Sequence, residues 1–315
     1  MELYIEKEFL DDFYIDFKNT EIQRVLKRVF NEYGNKRVFM NVSIDSAQEL
    51  EALKLENELF ALMCSNDKAP IPIDNFEQHL FNKSNFEQTL VFMKNEELWF
   101  AKARGKGALC FCFGDFENKI KDIIGQLHFR IDLSDSFTDW NFLSKFHFLD
   151  FNTITISDRY ILSDKDNQKI DDNLVPVLKS FFSDKKAEIK IDILTKELNA
   201  LSSSDNHKKE KAKKIITKLN RVFASSKAKF SIIMNDFPSQ FVMHDRSIAT
   251  NFSLLECGEG FNLIPFKASN SEIRSETIFD KYTYKRLKNI QQKQKEYTNK
   301  LKALETIKFK MYPKN

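Results

Sequence analysis

The sequence predicts an α/β protein with an α+β N-terminal domain, a second domain built on a mixed sheet, and a basic helical tail. In the second half of the chain, apolar strand-type segments alternate with helix-type segments, which is typical of sheets with helical crossovers. The first half mixes both periodicities without strict alternation. Residues 281–315 hold 11 basic and 2 acidic side chains. We therefore predict domains at 1–145 and 146–275, followed by a tail at 276–315.

The composition is that of a soluble globular protein. The 315 residues are 42% hydrophobic and 30% charged, and the chain is long enough for two cores. No apolar run approaches the roughly 20 residues of a membrane span, and the N-terminus is acidic, unlike a signal peptide. We expect a cytoplasmic location and no membrane partner. Cys64, Cys110, Cys112 and Cys257 complete no zinc set, so we expect reduced core thiols, no metal and no cofactor.

Periodicity and capping residues predict the elements of the first half. Thr20 caps a helix that ends near Gly34, and a strand at 37–44 precedes a second helix that begins at Asp45 or Ser46. Strands are then predicted at 89–93, 98–103 and 108–113, a helix at 116–127 and a short strand at 128–131. The turn between the second and third of these strands, Arg104–Gly107, is basic. It either contacts a phosphate backbone or is a solvated turn.

The acidic N-terminal segment invites comparison with metal-dependent nucleases. Its five carboxylates lack a partner lysine and the spaced carboxylates on later strands that such a site needs. A solvated acidic face is the favoured interpretation. The residues are Glu6, Glu8, Asp11, Asp12 and Asp16.

The second half predicts a sheet whose strands end in polar residues. Strands are expected at 154–161, 188–194 and 229–234, with helices at 171–182 and 205–223. Ligands of open α/β sheets bind at the carboxyl ends of the strands. Asp158, Thr195 and His244 lie at or beyond predicted strand ends and are therefore candidates for a site.

The segment 241–266 carries the most informative pattern. His244, Asp245 and Arg246 are consecutive and stand between strand-type residues. Alternate side chains of a strand share a face, so His244 and Arg246 lie side by side and can cradle a phosphate. Asn251 is expected to add a hydrogen bond to the same ligand. The glycines at 258 and 260 are expected to close a hairpin.

Taken together, His-x-Arg, Asn251 and the Gly-x-Gly-Phe that follows resemble a degenerate phospholipase D motif. In that motif His, Lys and Asp stand at the positions of His244, Arg246 and Asn251. Over about residues 150–270 the chain is similar to the phospholipase-D-like C-terminal domain of microtubule-interacting-and-trafficking (MIT) domain proteins, with Arg159 where that family has proline. The resemblance implies a mixed sheet flanked by helices. It also implies phosphate-binding roles for Arg246, Asn251, Asp245, Gly258, Gly260 and Arg159.

The resemblance leaves three functions open. A phospholipase-D-type phosphodiesterase uses two His-x-Lys motifs, and this chain has one such motif, with Arg246 for Lys and Asn251 for Asp. Binding without turnover is favoured, in an accessory subunit of a bacterial assembly such as a phage-defence or mobile-element system. The first alternative is a homodimeric, metal-independent nuclease with His244 as its catalytic residue. The second is a module that binds acidic phospholipids.

A positive helix adds a candidate surface for nucleic acid. The segment 205–229 holds nine basic and two acidic residues. A basic face next to a phosphate site favours nucleic acid as a partner, besides partner protein subunits. The lysines expected to bind the polyanion are Lys208, Lys209, Lys211, Lys213 and Lys214.

Overall fold

The fold is described from a computed structural model of the chain. The structure describes residues 1–64, 69–83, 86–162, 168–182, 188–195, 205–234, 246–303 and 308–311. The chain divides into two compact units. Unit 1 comprises Met1–Gly125 with Phe279–Tyr284, and unit 2 comprises Gln126–Ile278 with Lys285–Asn315. Each unit contains one sheet and several helices, which confirms the predicted mixed α/β class.

Unit 1 is built on a five-stranded sheet in which every pair of neighbours is parallel. Its strands, in chain order, are β1 (Glu2–Ile5), β2 (Arg37–Met40), β3 (Ile71–Pro72), β4 (Thr89–Met93) and β5 (Leu109–Cys112). They are arranged in the order β3-β2-β1-β4-β5. Leu3, Tyr4 and Ile5 on the central strand β1 are all fully buried. Burial on both faces explains why this strand is continuously apolar instead of alternating.

In the described part of unit 1, seven helices connect and cover the strands. They are α1 (Lys7–Ile15), α2 (Glu21–Asn31), α3 (Ala47–Glu56), α4 (Glu58–Cys64), α5 (Phe76–Phe81), α6 (Phe100–Gly105) and α7 (Phe116–Leu127). The predicted cap of α2 is confirmed. The Thr20 hydroxyl accepts the backbone N–H of Gln23, and the Gln23 side chain accepts the N–H of Thr20 in return.

The predicted strand at 98–103 is wrong. Most of that segment is helix α6, and the predicted basic turn Arg104–Gly107 begins in the last residues of this helix. Because β4 and β5 are parallel, the chain between them must cross over and cannot form a hairpin. Phe100 and Ala103, the buried residues of α6, are three positions apart and share one helix face. That spacing is helical, and the sequence interpretation missed it.

Unit 2 is built on a mixed sheet, as predicted, and this sheet has eight strands. The strands are β6 (Phe129–Asp132), β7 (Thr153–Ser157), β8 (Ile189–Thr195), β9 (Ala228–Met234), β10 (Arg246–Thr250), β11 (Ser253–Cys257), β12 (Glu272–Thr277) and β13 (Lys308–Met311). Their order is β13-β9-β8-β7-β10-β11-β12-β6. β7, β8 and β9 are parallel, and every other pairing is antiparallel. The sheet therefore changes from parallel to antiparallel between β7 and β10.

The helices of unit 2 follow the alternation seen in the sequence. A 3-10 helix at Asn141–Phe148 precedes β7, and a π-helical turn at Ile170–Leu174 leads into α8 (Val175–Phe182). Two longer helices are α9 (Asp205–Val222) and α10 (Lys281–Ala303). The buried residues of α9 recur at helical spacing: Ala212, Ile215, Ile216 and Leu219. In the part of the chain that the structure describes, no helix is long and apolar enough to cross a membrane.

The division into units differs from the predicted domain boundaries at two places. Strand β6 pairs with β12, so the residues after 125 belong with the second sheet although we predicted a boundary at 145. The predicted tail from 276 begins inside the fold, because Tyr284 and Leu287 of α10 are buried. The Tyr284 hydroxyl donates to the carbonyl of Gly34 over 2.7 Å. The segment is rich in lysine and was predicted to be a tail, although these two apolar residues pack into the fold.

Strands β10 and β11 form a hairpin whose turn is at Asn251 and Phe252, and not at the glycines 258 and 260 as predicted. Asn251 is fully buried. Its Oδ1 accepts the backbone N–H groups of Asn152 and Thr153, each over 3.0 Å, and the Thr153 hydroxyl over 2.9 Å. Its Nδ2 donates to Asn152 Oδ1 over 2.9 Å. Asn251 therefore fastens the hairpin turn to the start of β7.

We predict that Asn251→Ala destabilises unit 2 by about 2–3 kcal/mol, because it leaves two backbone N–H groups and a hydroxyl without their acceptor. Urea unfolding monitored by circular dichroism measures the change. Asn289→Ala, at an exposed position of α10, is the matched control and should shift the free energy of unfolding by less than about 0.5 kcal/mol. Equal stability of the two variants would show that the Asn251 contacts do not support the fold.

Candidate functional site

Four chain segments meet at one edge of the unit 2 sheet. β7 and β8 end there, and β10 begins there because it runs antiparallel to β7, with Ser247 opposite Ser157. β11 ends there too, with Cys257 opposite Arg246. This is the carboxyl edge of the parallel strands, where open α/β sheets bind ligands. We call the following residues the strand-end cluster: Asp158, Arg159, Tyr160, Thr195, Arg246, Gly258, Gly260, Phe261 and Asn262.

Asp158 is the buried centre of the cluster, with 2% of its surface exposed. Its Oδ1 accepts the N–H of Tyr160, and its Oδ2 accepts the N–H of Phe261, both over 2.8 Å. Burial raises the pKa of this carboxyl, whereas the backbone N–H groups and the nearby Arg246 act in the opposite direction. Asp158 thereby ties the loop after β7 to the segment after β11.

Arg246 is partly exposed, and uncharged groups orient it. Its Nη1 donates to the carbonyl of Gly258, and its Cζ lies 5.3 Å from the centroid of the Tyr160 ring. Among the described residues, no carboxylate lies within ion-pair distance of its guanidinium. Arg274 and Arg286 of the same unit, in contrast, each pair with a glutamate. The guanidinium of Arg246 is therefore oriented by a carbonyl and a ring, with no described carboxylate as its ion-pair partner.

The two glycines after β11 let side chains approach the backbone closely. Gly260 has φ +87°, and a Cβ there would lie 2.7 Å from Asp158 Oδ2 and 3.1 Å from Arg246 Cδ. A Cβ at Gly258 would lie 2.8 Å from the Ser271 hydroxyl. Gly260 thus leaves room for the Asp158 carboxyl group and the Arg246 guanidinium, and Gly258 leaves room for the Ser271 hydroxyl.

The loop after β7 presents an arginine and a tyrosine. The Arg159 carbonyl accepts the Thr195 hydroxyl over 3.2 Å, and the Tyr160 carbonyl accepts Asn262 Nδ2 over 2.6 Å. Arg159 Cζ lies 5.8 Å from the Tyr160 ring centroid. Sequence reasoning missed Tyr160 and Asn262. An aromatic residue directly after Arg159 was the available signal, whereas nothing local marked Asn262.

Asn251 does not belong to the cluster, which corrects the prediction that it contacts the same ligand as Arg246. The two residues lie at opposite ends of β10, about 16 Å apart at the usual rise of an extended strand. Asn251 is also fully buried in its own contacts. An aspartate at 251 would not lie beside Arg246 either, so asparagine at this position gives no argument against catalysis. His244 and Asp245 lie outside the described residues.

The predicted polyanion-binding lysines lie on α9. Lys213 and Lys214 are exposed and Lys211 is partly exposed, whereas the side chains of Lys208 and Lys209 lie outside the described part. Since α9 connects two parallel strands, β8 and β9, it starts at the carboxyl edge of the sheet and returns to the amino edge. Its first turns therefore lie toward the same edge as the strand-end cluster.

The acidic N-terminal residues are engaged within unit 1. Lys7 pairs with Asp11 over 2.6 Å, and Lys94 pairs with Asp12 over 3.0 Å. The Glu6 carboxylate accepts the backbone N–H of Lys94, and burial raises the pKa of Glu6. Lys94 thus supplies a partner cation that sequence reasoning did not find. These pairs stabilise the carboxyl edge of β1 and β4.

The described residues were also compared with the requirements of a metal site and of a reactive thiol. Within the described ranges, no three His, Cys, Asp or Glu residues are arranged to hold a metal ion. Cys64, Cys110 and Cys257 are buried, as predicted for core thiols, whereas Cys112 is partly exposed. Burial raises the pKa of Cys257, beside the cluster, to about 11, so its thiol stays protonated at neutral pH.

Four of the predicted phosphate-binding residues thus come together: Arg159, Arg246, Gly258 and Gly260. Comparison with known proteins adds no relative, since no family model and no curated protein matches the chain. Function is therefore inferred from the charge and geometry of the cluster.

We predict that Gly260→Ala destabilises unit 2 by about 2 kcal/mol, because alanine is strained at positive φ and its methyl group would displace Asp158. Differential scanning calorimetry should show a lowered melting temperature. Gly258→Ala is the control, since its methyl group meets only the rotatable Ser271 hydroxyl and φ is not in the strained region. A Gly260→Ala protein that melts at or above the Gly258→Ala protein would contradict this.

Proposed function

We propose that unit 2 is a phospholipase-D-like module that binds the phosphate groups of nucleic acid at the strand-end cluster. The observation that carries the proposal is Arg246, whose guanidinium is oriented by the Gly258 carbonyl and the Tyr160 ring while no described carboxylate pairs with it. A fixed, partly exposed guanidinium with free N–H groups suits a phosphate, which accepts two parallel hydrogen bonds.

A second guanidinium makes the cluster suited to a phosphodiester chain. Arg159 lies against the same tyrosine ring as Arg246. Its Nε is buried and has no hydrogen-bond partner, which a bound phosphate oxygen would provide. Two cations side by side can contact two oxygens of one phosphate or two successive phosphates.

The lysines of α9 extend the positive surface from the cluster. Lys213 and Lys214 are exposed and Lys211 is partly exposed, and α9 contains two acidic residues, Asp205 and Glu210. A cluster that bound a single phosphate would not need such a face, whereas a polyanion gains from each additional contact. This favours DNA or RNA over a small phosphate ester.

Binding without turnover is the preferred role, as an accessory subunit of a larger assembly. The chain contains one His-x-Arg motif where phospholipase-D chemistry uses two. A homodimeric, metal-independent phosphodiesterase is the second candidate. The position of Asn251 at the far end of β10 removes one argument against it, because an aspartate at 251 would not lie beside Arg246.

We predict that Arg246→Ala weakens binding of a 20-nucleotide single strand by about ten- to a hundredfold, since it removes charge-assisted hydrogen bonds. The slope of log affinity against log salt should fall by about one for each lost phosphate contact. Filter binding at several salt concentrations measures both quantities.

Arg130→Ala is the matched control for this loss of charge. Arg130 is an exposed arginine on β6, which lies four strands from β7 at the end of the sheet. The control should bind like the unsubstituted protein. If the unsubstituted protein shows no binding at low salt, or both substitutions weaken binding equally, the cluster is not the phosphate site.

His244→Ala separates binding from catalysis. For a binding module, we expect no cleavage by either protein and an affinity within about tenfold of the unsubstituted one, the cost of one hydrogen bond. Labelled single- and double-stranded DNA and RNA are incubated with each protein in the presence of a chelator. Cleavage that survives chelation and is lost in His244→Ala would establish the phosphodiesterase instead.

A further inference from the structure

Tyr160 is the aromatic residue of the strand-end cluster that makes cation–π contacts. Arg246 Cζ and Arg159 Cζ lie 5.3 and 5.8 Å from its centroid, and no other ring in the described part of the chain stacks against it. The ring is partly exposed. Tyr160 thus contacts two guanidinium groups and no other ring among the described residues, and its partial exposure leaves part of the residue accessible to a ligand.

The Tyr160 backbone is held on both sides, which makes the ring a rigid platform. Its N–H donates to Asp158 Oδ1 over 2.8 Å, and its carbonyl accepts Asn262 Nδ2 over 2.6 Å. These contacts use main-chain atoms of Tyr160, so they persist when its side chain is changed. A preorganised aromatic surface loses little conformational entropy on binding.

We propose that Tyr160 stacks on a nucleobase and that the strand-end cluster therefore selects single-stranded nucleic acid. The inference rests on the proposed function, because a phosphate at Arg246 or Arg159 is what brings the neighbouring base to the ring. Bases of a single strand can turn out and stack on aromatic rings and on guanidinium planes. Bases of a duplex are already stacked inside it, and the phosphates of a phospholipid carry no planar ring.

The experiment compares oligomers that share phosphates and differ in bases. Fluorescence anisotropy is measured with a 20-mer of thymidylate, an abasic 20-mer of the same backbone, and a 20-base-pair duplex. The unsubstituted protein should bind the thymidylate strand about tenfold more tightly than the abasic strand, which is the lower range for stacking of a base. Tyr160→Leu should abolish that tenfold preference, so that it binds the thymidylate and abasic strands with equal affinity, and loss of the ring that orients Arg246 should weaken binding of both. Tyr160→Phe should retain the preference.

Two variants make the outcomes separable. Arg246→Ala should weaken binding of the thymidylate and abasic strands alike, and Tyr282→Leu, at an exposed tyrosine of α10, should change neither. If the unsubstituted protein binds the thymidylate and abasic strands equally, or binds the duplex most tightly, the stacking inference fails while phosphate binding stands. If it binds none of the three, the proposed function fails as well. The comparison of oligomers on the unsubstituted protein holds even if Tyr160→Leu does not fold.

Discussion

The arrangement of the candidate site depends on one buried carboxyl group. Asp158 accepts a hydrogen bond from the loop that follows β7 and another from the segment that follows β11, which is 103 residues away in sequence. Gly260 leaves the space that this carboxyl group occupies, and Arg246 packs against the same glycine. Without Asp158 two backbone N–H groups would be buried without acceptors, and the loop bearing Arg159 and Tyr160 would lose its fixed position.

The sequence predicted well those features that depend on local periodicity. The alternation of strands and helices in unit 2, the cap of α2 and the position of Thr195 at the end of β8 all follow from patterns within a few residues. The errors arose where a partner that is distant in sequence determines the structure or the position of a residue. Most of the segment 98–103 is helix α6, which connects the parallel strands β4 and β5; the local signal for this helix was the spacing of Phe100 and Ala103, whereas the parallel pairing is not visible within the segment.

The roles of Asn251 and Asn262 also depend on partners that are distant in sequence. Asn251, five positions after Arg246, was predicted to contact the ligand. Strand geometry places it at the opposite edge of the sheet, where it accepts hydrogen bonds from the backbone at the start of β7. Asn262 has the sequence context of an ordinary loop residue, yet its side-chain amide donates a hydrogen bond to the carbonyl of Tyr160. Strand direction and register, and not residue type, determine which of the two reaches the site.

The way in which Arg246 is held has a consequence for what it can bind. A guanidinium that is fixed by a glutamate, as Arg286 is, has much of its field cancelled before a ligand arrives. A ligand must then compete with that glutamate. Arg246 is fixed instead by a carbonyl and a π face, and the Asp158 oxygens are directed at backbone N–H groups. Arg246 is thus oriented without an ion pair to any described carboxylate, which leaves guanidinium N–H groups for the phosphate that we propose as ligand. That combination is suited to an anionic ligand, whereas a structural salt bridge would need the carboxylate that is missing among the described neighbours of Arg246.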